Sequence, residues 1–497
     1  LRVLKNYKDK ILTVSLIDEI SGRLIAEGLY KPRKIGASEK SKILNREHFT
    51  SEEVRKVLDN NPQKHKEKGF PMGWASRFDT WFKFSKELGF VYYNLGEPII
   101  FSEIGLKLAD KNNLEFLQQA FLNAFVKYQR NNPFRRVLNE NAPLILLLQV
   151  IKLLNADKNF NDCGISKVEL LLLLYWKDKD AESLYSRIVS LRGKYGFSIS
   201  WEVIVDICVN EIMDGNDKKR DSKSITVDYT DEFIRKMRLT GLISLRGGGR
   251  FIDINKNEQA KVDYVMQNYS EYKKYDDERG YFDYIGKIDK KLFSYIPKTS
   301  SRKEKESHLC KWLETYDWKS IKYELLNLAR RKRTKDNILK MLTDPVRLEF
   351  LTALGVKANF PEVTVIPNYP VDDEGLPTST APGVNDTGDI ECEESGKGIL
   401  IEVTMSEGRT QTMMEIWPIE RHLRKFNQNM PESICYFVAP SIFNDSIMQI
   451  DYVREKHKSI IYPNTIKEFI ELIECKKHLY PQATAKLSNE FLAKQDL

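Results

Sequence analysis

The chain has 497 residues, of which 41% are hydrophobic and 30% are charged, and a formal net charge of +7. This length exceeds what one hydrophobic core usually supports, so we expect three or four domains. No apolar run is long enough to cross a membrane, and no secretory cleavage site follows the N-terminal segment, so we expect a cytoplasmic protein. The six cysteines are scattered and form no C-x-x-C pair, so neither a zinc ribbon nor a disulfide framework is indicated.

Two segments of the N-terminal half have the order helix then hairpin. In residues 74–111, a helix ends at Gly89 and two short apolar strands flank the letters NLGE. In residues 230–254, a helix and Gly241 precede two strands around the turn Gly247–Gly249. This order is typical of a winged helix, whose helix enters a DNA groove.

Basic side chains on both segments suit contacts with a DNA backbone. For one hairpin alone, a solvated surface is the favoured interpretation of these side chains, but two such units in one basic chain favour DNA binding. The predicted DNA-binding residues are Arg77, Lys83, Arg235, Lys236, Arg238, Arg246 and Arg250.

The C-terminal residues show a different alternation. A helix that ends at Gly355 is followed by three strands, a helix over about 409–426, and then strand, helix, strand and helix. This order predicts a mixed sheet flanked by helices. The expected fold class is therefore α+β and multidomain, with a mostly helical N-terminal half and a C-terminal α/β domain.

We expect four segments in chain order. Residues 1–125 and 126–256 form two winged-helix-like recognition domains, residues 257–335 a helical linker, and residues 336–497 the α/β domain. The boundaries follow the second hairpin and a charge-dense stretch that is nearly free of glycine.

Asp389 and Glu402 lie symmetrically about Ser395 and Gly396. If these two residues form a two-residue turn, the carboxylates stand opposite each other, with Cβ atoms about 4.5–5.5 Å apart. Two like charges there weaken a sheet, unless water hydrates them or a divalent cation binds them. Hard oxygen ligands at this separation suit Mg²⁺, and the carbonyl of Val403 can complete the coordination. Because the strand around Glu402 is otherwise apolar, a buried site is favoured over a solvated acidic hairpin.

This strand-start Asp, hairpin and Glu in an apolar strand resemble the core of the PD-(D/E)xK nucleases. Gly388 stands where that family usually has proline, and Thr404 stands where it usually has lysine. The wider context, from RLEFLTALG through Glu-Val-Thr to CYFVAPSI, resembles the cleavage domain of AlwI-like type IIS restriction endonucleases and their nicking relatives. In that group the Glu-Val-Thr form of the motif is usual.

The resemblance implies a catalytic set of Glu349, Asp389, Glu402, Glu415 and His422, with Asp389 and Glu402 as Mg²⁺ ligands. It also implies cleavage of double-stranded DNA a few bases outside a short asymmetric site, and a cognate DNA methyltransferase. One nuclease centre per chain requires a transient homodimer or a small second subunit for a double-strand cut. Two alternatives are a nicking enzyme or heterodimer subunit, and a DNA-binding protein with an inactive nuclease domain.

Overall fold

The computed structural model describes the chain except residues 46, 111–115, 161–162, 216–223, 296–297, 299, 383–385 and 482–497. The chain divides into two compact units. The first holds residues 1–299 together with Asp372–Leu376, and the second holds residues 300–371 and 377–497. The division at residue 300 falls inside the predicted linker, and the four-part division itself stays a prediction. None of the described helices is long and apolar enough to cross a membrane.

The first unit is mostly helical, as predicted. Its helices are α1 Arg2–Lys5, α2 Val14–Ala26, α3 Ala37–Asn45, α4 Ser51–Asn60, α5 Trp74–Glu87, α6 Glu103–Leu108, α7 Phe116–Phe125, α8 Pro143–Ala156, α9 Leu170–Tyr175, α10 Ala181–Tyr195, α11 Trp201–Asp206, α12 Thr230–Arg238, α13 Gln259–Tyr269, α14 Glu278–Gly286 and α15 Lys290–Ser294. Short π-helical turns cover Ile207–Ile212 and Ser224–Tyr229, and a 3₁₀ turn covers Lys256–Glu258.

The first predicted helix and hairpin are present, although the strands are shorter than expected. β1 (Val91–Tyr92) and β2 (Ile100–Phe101) pair antiparallel after α5. The backbone groups of Glu97 and Ile99 bond instead to the chain around Lys10–Leu12, which ends the hairpin ladder early. Side chains of α5 and of this hairpin share one buried core, which contains Phe78, Phe82, Val91, Tyr93, Ile99 and Phe101.

The second helix and hairpin are also confirmed. After α12, β4 (Ile243–Arg246) and β5 (Phe251–Ile254) pair antiparallel, and β3 (Ile165–Ser166) adds to the other edge of β5. The three glycines of the connecting turn, Gly247–Gly249, all have positive φ, which residues with a Cβ adopt rarely. The glycine run therefore closes the hairpin.

The second unit is built on a five-stranded mixed sheet. Its strands are β6 Thr364–Pro367, β7 Ile390–Glu394, β8 Lys397–Val403, β9 Ile434–Ala439 and β10 Ile461–Thr465, in the spatial order β10-β9-β8-β7-β6. The pairs β6–β7 and β7–β8 are antiparallel, and β8–β9 and β9–β10 are parallel. The helices are α16 Arg302–Leu313, α17 Trp318–Ala329, α18 Asp344–Asn359, α19 Arg409–Met414, α20 Ile416–Asn429, α21 Asn444–His457 and α22 Ile466–Cys475, with a 3₁₀ turn at Leu339–Met341.

One helix prediction was wrong in detail, because the helix expected over about 409–426 is two helices. Pro418 has no N–H to donate to Met414, the residue four positions earlier, so one continuous helix cannot form there. α19 ends at Met414, and α20 restarts at Ile416 with Pro418 in its first turn. Glu415 lies at the junction, outside both helices.

Packing of α20 and α21 onto the sheet sets the position of the central hairpin. Ile416, Ile419 and Leu423 of α20 form one buried cluster with Leu400 of β8 and Phe437 of β9. Side chains alternate along a strand, so Glu402 lies on the same face of β8 as Leu400. This face brings the carboxylate of Glu402 toward α20.

Candidate active site

The turn of the β7–β8 hairpin has the predicted two residues. Ser395 and Gly396 have φ of 52° and 79°, as a two-residue turn of the type I′ form requires. The paired residues run from Glu394 with Lys397 to Ile390 with Ile401. This register is the one predicted, and it places Asp389 and Glu402 one step beyond the last of these pairs.

Asp389 and Glu402 lie at the end of this hairpin in a largely buried setting. Glu402 is 5% exposed, and the main-chain N–H of Val403 donates to Oδ2 of Asp389 at 2.8 Å. Burial raises the pKa of Asp389 well above its usual value, and the charge of Glu402 raises that pKa further. Burial also raises the pKa of Glu402, with the charge of Glu415 as the second cause. The charge of Glu402 thus opposes ionisation of Asp389, and the charge of Glu415 opposes ionisation of Glu402.

Glu349 extends this acidic group from α18. Glu349 is 3% exposed, and its Oε2 accepts a 2.8 Å hydrogen bond from the N–H of Ala381. Burial raises the pKa of Glu349 well above its usual value, followed by the charge of Asp389. The predicted third acidic residue is therefore buried within electrostatic reach of the hairpin carboxylates.

Glu415 is held by two hydroxyl groups. Thr404 and Ser406 both donate to its Oε1, at 2.9 Å and 2.8 Å. The charge of Glu415 contributes to the raised pKa of both Asp389 and Glu402. Thr404, which stands at the position where the wider nuclease family has lysine, thus orients a carboxylate. Neither this role nor that of Ser406 was predicted, and the only sequence signal is a pair of hydroxyl residues just after the strand.

His422 contacts the hairpin directly from α20. Its Nδ1 lies 2.8 Å from Oε1 of Glu402. Burial is the main cause that lowers the pKa of His422, so its neutral form is favoured near neutral pH. When Glu402 is ionised, Nδ1–H donates to it, and Nε2 remains an acceptor.

The chemistry of this group fits a divalent cation. Among the described residues, the named causes of the shifted pKa values of Glu349, Asp389 and Glu402 include no lysine or arginine. Within the same part of the chain, no three His, Cys, Asp or Glu side chains are arranged to hold an ion. Mg²⁺ is commonly held by one or two carboxylates and keeps several waters, so the predicted pair Asp389 and Glu402 has the ligand chemistry that such a site uses. The role of the Val403 carbonyl stays a prediction.

Of the predicted DNA-binding residues, Arg238 and Arg246 are paired inside the first unit. Arg238 Nη1 lies 3.1 Å from Asp372, and both side chains are buried. Arg246 contacts Asp253 at 2.6 Å and Asp373 at 2.7 Å. These ion pairs give both arginines a structural role, and contact with DNA stays a prediction for them.

The other predicted DNA-binding residues differ in their surroundings. Arg77 contacts His65 Nε2 at 2.8 Å, and Lys83 contacts Glu67 at 2.9 Å. Lys236 pairs with Glu232. Arg235 and Arg250 are exposed, which makes them the most accessible cations of the predicted set.

One comparison with known proteins, that with family sequence models, identifies a family. The sequence model described as AlwI restriction endonuclease matches residues 86–290 and 283–472. No curated protein sequence matches the chain.

Solved structures give weak structural matches to restriction endonucleases. The small subunit of the heterodimeric restriction endonuclease R.BspD6I is 24% identical over 31% of this chain and 78% of that chain, with a TM-score of 0.27. Restriction endonuclease FokI is 12% identical over 95% of this chain and 93% of that chain, with a TM-score of 0.24. FokI bound to DNA has the same identity and coverage and a TM-score of 0.23. Because these scores are below 0.5, we draw no conclusion about the fold from them. The sequence match covers most of the chain, which therefore belongs to the AlwI restriction endonuclease family of DNA-cleaving nucleases.

Proposed function

We propose that the chain hydrolyses phosphodiester bonds of double-stranded DNA, with Mg²⁺ bound by Asp389 and Glu402. The observation that carries this proposal is the pair of adjacent carboxyl groups whose pKa values are raised by burial and by neighbouring carboxylates. A bound cation would offset this repulsion. Mg²⁺ supplies a Lewis acid for the phosphate and lowers the pKa of a bound water.

Three further residues act on this site: one fixes an oxygen of a metal ligand, and two can accept a proton. The N–H of Val403 fixes one oxygen of Asp389. Glu415, fixed by its two hydroxyl partners, and His422, with an acceptor nitrogen left, are the two groups able to accept a proton from the attacking water. They take the place of the lysine that the wider nuclease family has at position 404.

We further propose the type IIS arrangement, in which the N-terminal half binds a short asymmetric site and cleavage falls a few bases outside it. The test is incubation with a plasmid of many sequence contexts in Mg²⁺, followed by sequencing of the ends. Cuts at a constant offset from one short asymmetric sequence, with 5′-phosphate and 3′-hydroxyl ends, support the proposal. Cuts within a palindromic site would contradict it.

A second candidate is a nicking enzyme or the large subunit of a heterodimer. The subunit form of this candidate is favoured by an apolar surface on the second unit, which is formed by exposed Met413 of α19, Trp417 of α20, and Met448 and Tyr452 of α21. Met448 is 71% exposed and Tyr452 is 50% exposed. Four residues apart on one helix, they lie on the same face, and the Tyr452 ring centroid is 6.3 Å from that of Trp417. Such a surface suits a second nuclease domain, from another copy or from a small subunit.

The third candidate, a DNA-binding protein with an inactive nuclease domain, is disfavoured by the intact acidic group. A domain without metal chemistry would gain stability by replacing buried like charges with neutral residues.

A cognate DNA methyltransferase that protects the same sequence completes the proposal. Resistance of the methylated plasmid to cleavage tests that part.

A further inference from the structure

A cavity of about 360 Å³ lies in the first unit, whereas the acidic group described above belongs to the second. Its volume is within the range of pockets that hold small ligands. Six aromatic side chains line it, from α5, α7, α9, α12 and the connections beside them. These are Phe84, Phe125, Tyr128, Tyr175, Tyr229 and Phe233. The wall therefore suits a planar aromatic group.

Three cations also line the cavity, and two of them are paired with acids. Lys236 pairs with Glu232, and its Nζ lies 4.5 Å from the ring centroid of Phe84. Arg135 Nη1 lies 3.8 Å from Oε2 of Glu87. Each of these charges is thus balanced by a carboxylate of the protein.

Arg130 is the third cation, and its charge is not balanced. Its main-chain N–H donates to the carbonyl of Asn141 at 2.9 Å. Throughout the described part of the chain, however, no side chain or carbonyl forms a hydrogen bond or ion pair with its guanidinium group. Burial is the main cause that lowers the pKa of Arg130; Tyr128 acts in the opposite direction, and neighbouring Arg135 lowers the pKa as well. A guanidinium group in such a place gains most from an anion that enters the cavity.

The main chain of Arg130 bonds to a segment, residues 139–141, that is tied to the end of α9. Asn139 Nδ2 donates to the carbonyls of Tyr175 and Trp176, at 3.1 Å and 2.8 Å. Asn141 Nδ2 donates to the same Trp176 carbonyl at 2.9 Å. These amide groups fix residues 139–141 to the end of α9, and the bond from the N–H of Arg130 joins its main chain to that segment.

We propose that this cavity binds a nucleotide, with its base against the aromatic wall and its phosphate on Arg130. Aromatic side chains stack on any base, and arginine binds phosphate through paired N–H donors. The nucleotide comes either from solution or from the DNA substrate, as a nucleotide turned out of the duplex. Only the second source rests on the proposed function.

Isothermal titration of the full-length protein in EDTA tests the binding itself. The probes are the four 2′-deoxynucleoside 5′-monophosphates, the matching nucleosides and inorganic phosphate. We expect at least one monophosphate to bind at least tenfold more tightly than its nucleoside or phosphate alone. Binding of none of the four would overturn the proposal, whether or not the protein cleaves DNA.

Two variants assign the binding to this cavity. Arg130→Met removes the unbalanced charge, and Leu138→Trp fills the mouth at a residue that is 55% exposed, so the core is not disturbed. Each variant should weaken monophosphate binding at least tenfold, while the exposed Arg33→Met binds as the wild type does. Wild-type affinity in both cavity variants would overturn the proposal.

A fluorescence assay identifies the source of the nucleotide. Duplexes of random sequence that contain 2-aminopurine are mixed with the protein in EDTA, because this base brightens when it leaves the stack. If the fluorescence of 2-aminopurine rises on mixing, if the monophosphate suppresses this rise, and if Arg130→Met does not show it, the cavity binds a nucleotide of the DNA substrate. Monophosphate binding without such a rise assigns it to a free nucleotide.

Discussion

Thr404 donates a 2.9 Å hydrogen bond from its hydroxyl group to Oε1 of Glu415. Thr404 follows β8 directly, and Glu415 lies at the junction of α19 and α20. The strand that supplies Glu402 therefore also orients a second carboxylate beside it. In the proposed reaction this bond determines where Glu415 can meet a water molecule.

Removal of that hydroxyl group should slow cleavage without weakening DNA binding. Thr404→Val leaves Ser406 as the remaining donor to Oε1, so Glu415 becomes less well fixed. A hydrogen bond to a charged group contributes about 1.5–3 kcal/mol, and because Ser406 still donates to Glu415 we expect the lower end of that range, a single-turnover rate about tenfold lower. Thr412→Val is the matched control, because its hydroxyl group bonds to Ser446 instead. Equal rates for Thr404→Val and the wild type would remove Thr404 from this role.

His422 should matter for the rate of cleavage far more than for folding. His422→Gln removes the ring nitrogen that is left as an acceptor, so we expect a loss of about a hundredfold in single-turnover rate. The control is His457→Gln, because His457 makes a similar contact with a buried carboxylate, 3.0 Å from Glu420. If both variants lose activity equally, the contact with Glu402 has no special part in the reaction.

Divalent cations should stabilise the protein through the hairpin carboxylates. At a concentration of about 100 times Kd, a ligand that binds only the folded state adds about 2.7 kcal/mol, which raises Tm by several degrees. Mg²⁺ and the non-catalytic ion Ca²⁺ should both raise Tm of the wild type. The variants Asp389→Asn and Glu402→Gln should lose this response, and the exposed Glu393→Gln should keep it. An undiminished response in both hairpin variants would place the cation elsewhere.

The apolar surface of the second unit should control double-strand cutting. Met448→Glu combined with Tyr452→Glu puts charge on that surface without touching the acidic group. We expect nicked plasmid to accumulate and linear plasmid to decrease by about tenfold at high protein concentration, because two centres no longer meet. Tyr323→Glu, which is 64% exposed on α17, is the control. An unchanged ratio of nicked to linear product would exclude this surface as the contact.

The hairpin could be predicted from the sequence because its register depends on local rules. A two-residue turn fixes every pair, and the apolar run before Glu402 marks a buried strand, so the opposition of Asp389 and Glu402 followed directly. Pro418 indicated either a kink in one helix or the first turn of a new one, and the structure has the second of these. These features depend on residues that are close in the chain.

Contacts between distant residues could not be predicted in the same way. The bonds of Thr404 and Ser406 to Glu415 depend on how the chain returns after β8. The pairing of Arg238 with Asp372 joins residues 134 positions apart, and neither local sequence indicates it. Whether each arginine faces solvent or a carboxylate depends on tertiary packing, and the hydrophobic periodicity of the sequence does not encode that packing.

The most direct measurement is single-turnover cleavage of a labelled plasmid of many sequence contexts in Mg²⁺, with wild type, Asp389→Asn and Glu393→Gln compared. We predict discrete products from the wild type and from Glu393→Gln, none in EDTA, and a rate at least a hundredfold lower for Asp389→Asn, because that variant lacks a metal ligand. DNA binding should be equal in all three proteins. Cleavage by Asp389→Asn at the wild-type rate would contradict the assignment of the hairpin carboxylates as the nuclease centre.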